Sequence, residues 1–453
     1  MSLAKIFKKT LLALVILKTL CQFSFAMATE EIKNPYGIDI PVESDSVYFV
    51  NLDTDTVIYE KNKDLKVPSS ALVKMMSSLL VLQCEECQKN PEQFLNKEIE
   101  AKRYIFDRLY KTGASTADIR PGEIITIKDA LYGALIASGC EATMMLVDYV
   151  WDGNIENCVL AMNKKAKEYN MENTNFTDAD GLDTDNQFTT AYDMYLLTKE
   201  CLKNEIFKKI ATSRTYEMPP TNKHPKPTTL IHTNKLMNKG SGCFDERVRG
   251  IKTGNLQDKQ NLVSIAVNKE KYSYMLITLG APKTQNVLYS ESKSLYKWAF
   301  SNLKLEILAI PDEKTVPNNI KINLAKNTDT IILTPKDQVT LLLPKSIDRT
   351  TIYWDTSNLP KELNAPIAKG KSIGTVNLML SDQEIGRVEV ISAKDIDLDI
   401  LSYVEYLAKK FIFSWKFLVI MSFILIFTFL ILMNRKFLRK SRKKDKRYDP
   451  PFK

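Results

Sequence analysis

Apolar residues along the chain fall into short alternating runs, compact helix-like runs, a short apolar stretch near the start and a long one near the end that Lys416 interrupts. Ser46-Val47-Tyr48-Phe49-Val50 and Thr56-Val57-Ile58-Tyr59-Glu60 flank Leu52-Asp53-Thr54-Asp55, whose turn residues predict a hairpin. Lys61-Asn62-Lys63 then leads to Pro68-Ser69-Ser70-Ala71, which precedes Leu72, Val73, Met75, Met76, Leu79, Leu80, Val81 and Leu82. This run predicts a helix with a serine N-cap and a body buried nearly all round. Lys74 lies one turn inside it. A charged amine there is costly, so it either pairs with a carboxylate or carries a lowered pKa and a task.

Beyond Arg120-Pro121-Gly122, a short strand over Ile124 to Ile127 and a small-residue apolar helix over Lys128 to Ala137 are predicted. Asn261 to Val267 and Tyr274 to Ala281 read as two strands of a central sheet. Past Asn302 the pattern shifts to alternating segments: Lys321 to Leu324, Thr330 to Leu333, Val339 to Leu343, Gly374 to Leu380 and Gly386 to Ile391. Split by Pro, Asn and Asp turns, they predict a small antiparallel β domain. The chain has no internal repeat.

The two ends read as targeting and anchoring segments. Lys5, Lys8 and Lys9, the apolar stretch Leu11 to Leu20 and Ser24-Phe25-Ala26-Met27-Ala28 make a signal peptide over residues 1–28. Phe411 to Met433 predicts a transmembrane helix, followed by a basic tail over 434–453 that points to the cytoplasm. Lys416 can snorkel to the outer interface. Charge supports this division. The tail from Arg435 carries ten Lys/Arg against two Asp and the leader carries four Lys; subtracting 8 and 4 from the net +9 leaves −3 for the segment between. A basic run confined to a membrane-flanking tail is a topology signal, so nucleic-acid binding is excluded.

Three short motifs carry candidate chemistry. The first is Pro68 to Met76. The second is Ser138-Gly139-Cys140-Glu141-Ala142, after the small-residue helix. The third is Lys252-Thr253-Gly254-Asn255, just before the two apolar strands. Together they resemble the motifs of the penicillin-binding-protein D-alanyl-D-alanine carboxypeptidases: Pro-Ala-Ser-x-x-Lys-x-Met, Ser-Gly-Asn and Lys-Thr-Gly. Asn163 to Tyr169, Asn173-Thr174-Asn175-Phe176, Gly181-Leu182 and His232-Thr233-Asn234-Lys235-Leu236 follow that family's order and spacing too. The resemblance spans roughly residues 35–400. It implies a β-lactamase/transpeptidase-like α/β domain over 29–303, with an antiparallel sheet and flanking helices, a C-terminal β domain over 304–400 and a juxtamembrane link over 401–410.

The family's chemistry maps onto this chain with two gaps. In the family a serine three residues before the lysine is the nucleophile and the lysine deprotonates it. Here that position is Ala71, and one extra residue lies between Pro68 and Lys74, so Ser70 is out of register. The second-motif serine, Ser138, relays a proton in the family; the asparagine beside it, which holds the substrate backbone and the lysine, is Cys140, a weak donor and weak acceptor. Only the third motif is intact. It implies Lys252 and Thr253 as contacts to a substrate carboxylate and the backbone N–H at Asn255 as part of an oxyanion hole. Gly254 implies close backbone approach. Lys111-Thr112-Gly113 repeats the tripeptide in a polar loop that precedes no apolar strand, and is set aside.

Ala71 allows three readings. The chain is a member that lost its nucleophile and keeps a cleft for peptidoglycan stem peptides ending in D-Ala-D-Ala, and for β-lactams, or a structural role at the wall. Or it is an active carboxypeptidase using Ser70, four residues before Lys74 and on one helical face with it. Or alanine was introduced at 71 in an ordinary enzyme. Departures at both Ala71 and Cys140 favour the first reading. A structural or partner-binding role in the envelope is the competing class.

Other chemistry is weakly supported. His224 and His232 are the only histidines, which argues against a zinc site or a Ser-His-Asp triad, and no cofactor loop is present. Six cysteines follow the leader. Cys84-Glu85-Glu86-Cys87 matches Cys-x-x-Cys, but at the end of a helix with two acids between, which speaks against a redox role.

Overall fold

A computed structural model describes residues 31–182, 186–313, 315–380 and 382–445. The predicted signal peptide lies outside them. The chain divides into two units, one running to Leu305 with Leu342–Lys345, the other holding the remainder.

The first unit is built on a six-stranded antiparallel sheet. The predicted hairpin is strands β1 (Ser46–Asn51) and β2 (Val57–Lys61). With β3 (Val248–Asn255), β4 (Lys259–Val267) and β5 (Ser273–Pro282), the order is Ile32–Lys33, β2, β1, β5, β4, β3. Successive side chains of a strand face opposite sides, and here both sides are covered. Tyr48, Val50, Val263 and Ile277 join one core with the helices between β2 and β3. Val47, Phe49, Leu262 and Leu276 join a second core under helix Val287–Asn302.

Helix α1 (Lys74–Leu82) has every residue buried, as its unbroken apolar run predicts. The chain enters it through a 3-10 turn, Ser70–Val73. Ser69 stands at the N-cap position of that turn but its hydroxyl bonds no backbone N–H, so the expected serine cap is not made. The small-residue helix is α2 (Ile127–Leu135). It starts with a reciprocal capping box in which Thr126 and Asp129 each bond the other's backbone N–H. Helix α3 (Cys140–Trp151) packs beside it; a Cβ at Gly133 would lie 2.9 Å from that of Ala142.

The second unit holds an antiparallel sheet in the order Leu333–Pro335, Gln383–Ser392, Ser372–Leu380, Ile352–Asp355; of the predicted segments, Val339 to Leu343 and Lys321 to Leu324 form strands outside this sheet, and Ile352–Asp355 is not among those predicted. A short parallel pair, Lys321–Asn323 with Glu362–Asn364, accompanies it. The apolar C-terminal run is broken at Phe413 and Ser414. An exposed helix α4 (Ile400–Ile412) ends before the break, and among the described residues one helical segment, Trp415–Lys436, is long and apolar enough to cross a membrane.

Candidate active site

The three motifs converge on one cavity of about 130 Å³ in the first unit, lined among others by Ser70, Ala71, Lys74, Ser138, Cys140 and Thr253. Elements already described supply part of the lining, and loops supply the rest. Lys74 is the first residue of α1, Cys140 the first of α3, and Lys252 to Asn255 end the edge strand β3.

Lys74 is 1% exposed. Its Nζ donates to Cys140 Sγ at 3.3 Å and to the Asp180 carbonyl. The Asp180 carboxylate is fully buried and paired with Arg108 at 2.6 Å. The carboxylate partner expected of a buried lysine is thus not made among the described residues, and Lys74 is held by a carbonyl and a thiol instead. The Cys140 thiol is pushed up, by burial first, with Lys74 opposing.

Ser70 does not share a helical face with Lys74, because it lies outside α1. It adopts φ +49° at the head of the 3-10 turn, and its hydroxyl donates to the Asn255 carbonyl at 2.8 Å. Among the described residues no hydrogen bond joins Ser70 to Lys74. Two glycines make this turn possible. A Cβ at Gly181, where φ is +81°, would stand 2.5 Å from the Ser70 carbonyl oxygen, and one at Gly254 would stand 3.3 Å from Ser70 Cβ. The close approach at Gly254 is therefore to this turn.

Ser138 and the third motif lie together as expected. Lys252 is fully buried and its Nζ donates to Ser138 Oγ at 2.7 Å and to the Thr253 carbonyl at 3.1 Å. Burial, then the Lys74 cation nearby, hold the Lys252 amine well below the ordinary lysine pKa. Thr253 Oγ1 donates to Thr233 Oγ1 at 2.7 Å. His232, beside Thr233, accepts the Asn234 N–H at Nδ1 and contacts the Ala211 carbonyl through Nε2. Burial and Lys252 lower its pKa to about 4.

The cavity also contains residues that the motifs did not single out. Gly113 and Ser115 line it, so the loop of the set-aside Lys111-Thr112-Gly113 reaches the cleft although its lysine and threonine do not. Cys140 N–H donates to the Ser115 carbonyl at 2.8 Å, and buried Glu141 accepts Thr116 Oγ1 and Ala117 N–H, each at 2.6 Å. Loop and motif are tied by residues adjacent to Cys140, a contact that no spacing rule encodes. Thr233 could have been found, since it sits inside the quoted His232 to Leu236 motif.

Residues 31–283 match the D-alanyl-D-alanine carboxypeptidase family, more than half of the chain. The chain belongs to that family. Residues 312–398 match the C-terminal domain of penicillin-binding protein 5. Among relatives, the D-alanyl-D-alanine carboxypeptidase DacF of Bacillus subtilis is 27% identical over 370 residues, covering 81% of this chain and 89% of its own length. DacC of Escherichia coli is 26% identical over 387 residues, covering 83% and 90%. The crystal structure of penicillin-binding protein 5 from Haemophilus influenzae superposes with a TM-score of 0.63 at 23% identity, over 80% of this chain and all of that one. That likeness establishes the fold, a mixed α/β transpeptidase-like domain with a C-terminal β domain.

Proposed function

We propose that this family member binds peptidoglycan stem peptides ending in D-Ala-D-Ala without hydrolysing them. The observation that carries the reading is the state of Lys74. Its amine is held by Cys140 Sγ and the Asp180 carbonyl, and the residue three before it, Ala71, offers no hydroxyl. Acyl transfer needs a nucleophile and base within hydrogen-bond reach, and Ser70 instead points at the Asn255 carbonyl. The carboxylate-binding third motif is intact in the sequence, although Cys140 stands where the family's substrate-holding asparagine would be. Lys252, Thr253 and Ser138 form a polar end whose amine and hydroxyls suit a peptide carboxylate or the carboxylate of a β-lactam. The helix Trp415–Lys436 would tether the protein to the membrane, with the cleft outside and the basic tail in the cytoplasm.

Intact mass after incubation with a penicillin tests this on the detergent-purified full chain. No adduct is expected on the parent. Ala71→Ser, alone or with Cys140→Asn, is expected to acquire one. An adduct on the parent that maps to Ser70 or Cys140 would return the protein to the active enzymes. Binding is read separately by calorimetry with a D-Ala-D-Ala peptide. Lys252→Ala should weaken it by about 10-fold or more, the size of a lost charge-assisted contact. Unchanged affinity would instead favour a structural or partner-binding role.

A further inference from the structure

The Cys-x-x-Cys pair is not at a helix end in the way its sequence suggests. Helix α1 stops at Leu82, and Cys84, with φ −64° and ψ 153°, heads a separate one-turn helix, Glu85–Lys89, in which Cys87 is the third residue. Residues three apart at such a helix start have Cα atoms about 5–6 Å apart, inside the window that a disulfide spans. The turn is fixed by the Gln88 N–H, which donates to the Cys84 carbonyl, and by Gln88 Nε2, which donates to the Leu82 carbonyl. Cys84 is half-buried, Cys87 is 1% exposed, and both are free thiols. The two acids between them each have a basic partner. Glu85 pairs with Lys89 at 2.6 Å, and Glu86 pairs with Lys97 and accepts the Tyr149 hydroxyl.

We propose that Cys84 and Cys87 form a reversible dithiol/disulfide site, in which Cys84 meets a small-molecule disulfide from solution and Cys87 closes the bond. The Cys84 thiolate attacks one sulfur of the small disulfide, forming a mixed disulfide and releasing one small thiolate. The Cys87 thiolate then attacks Cys84 Sγ and releases the second. The protein dithiol is oxidised by two electrons, the small disulfide is reduced by two, and the two thiol protons pass to the released thiolates. The order of attack follows exposure. Burial, with Cys84 adding to it, pushes the Cys87 thiol up to about 11, so the accessible thiol reacts first. Closure ties down the C-terminal end of the helix whose other end carries Lys74.

The test equilibrates the detergent-purified full chain with oxidised and reduced glutathione, quenches with an alkylating agent and maps the tryptic peptide Met75–Lys89, which contains both cysteines. With rising oxidised glutathione this peptide should become two hydrogens lighter and lose both alkyl groups together, reversibly. Cys84→Ser, at a half-buried position, should melt like the parent while Cys87 stays free and carries no glutathione. Glutathione that stays on Cys84 with Cys87 still alkylatable would overturn the proposal. So would Cys84 bonded to Cys243 or to a second chain.

Discussion

Two buried amines, Lys74 and Lys252, lie close enough to act on each other, and their partners are carbonyls, a hydroxyl and a thiol. Burial first, and then the Lys252 amine, disfavour a further positive charge at His232. Asn234 N–H donates to its Nδ1 at 3.0 Å and Nε2 lies 3.2 Å from the Ala211 carbonyl, an arrangement that suits the neutral ring protonated on Nε2. The folded pKa near 4 lies below the ordinary 6.5, so between these values the unfolded chain binds more protons than the folded one. Stability from this residue is therefore present above pH 6.5 and is lost as pH falls towards 4, by about 3 kcal/mol for the full shift. Urea melts of the parent and of His232→Asn from pH 7.5 to 4 should show the difference between them shrinking over that window; parallel curves would contradict the assignment. At this scale the sequence was informative about absences. Alanine at 71 and cysteine at 140 can be read directly, whereas the partners that Lys74 takes come from residues 66 and 106 positions away.

The element that decides the site is the entry to α1. One residue more between Pro68 and Lys74 is absorbed as a 3-10 turn that begins with Ser70 in the left-handed region, so four-apart helical spacing does not apply to Ser70 and Lys74. Helical periodicity presumes helical backbone, and the pattern of apolar residues carries no mark of where that backbone begins. Gly181 shapes the turn from outside. Gly181→Ala should cost more than about 2 kcal/mol, from strain at positive φ plus the clash with the Ser70 carbonyl, and should reduce stem-peptide affinity. Gly37→Ala, away from the cavity, also has a positive φ, +63°, but open space around the added Cβ, and is expected to cost about 1 kcal/mol. Thermal melts and peptide titrations of the two variants side by side check the contrast; equal losses would remove the role given to the Ser70 turn. The strands β1, β2, β4 and β5 and helix α2 were legible because each has strong periodicity bounded by turn or capping residues. The apolar run from Phe411 hid the break at Phe413 and Ser414, which local composition does not mark.

Across the whole molecule, the helix Trp415–Lys436 is mainly apolar between Lys416 and Asn434, with none of that stretch buried, and water is a poor solvent for such a surface. The full chain should remain with membranes after carbonate extraction, and a chain ending at Asp399 should be released to the soluble fraction. Retention of the shortened chain would point to an additional membrane contact in the rest of the protein. The order of the three motifs, the intact Lys252-Thr253-Gly254, the alanine at 71 and the apolar C-terminal segment were all set by the sequence alone, since each depends on residue identity or on local periodicity. Tertiary structure alone decided that Ser70 turns to Asn255, that Lys74 rests on Cys140 and Asp180, that the 113–117 loop lines the cleft and that Cys84 opens its own helix. Each of those depends on which distant backbone groups fill the space around a side chain, and packing determines that where spacing along the chain does not.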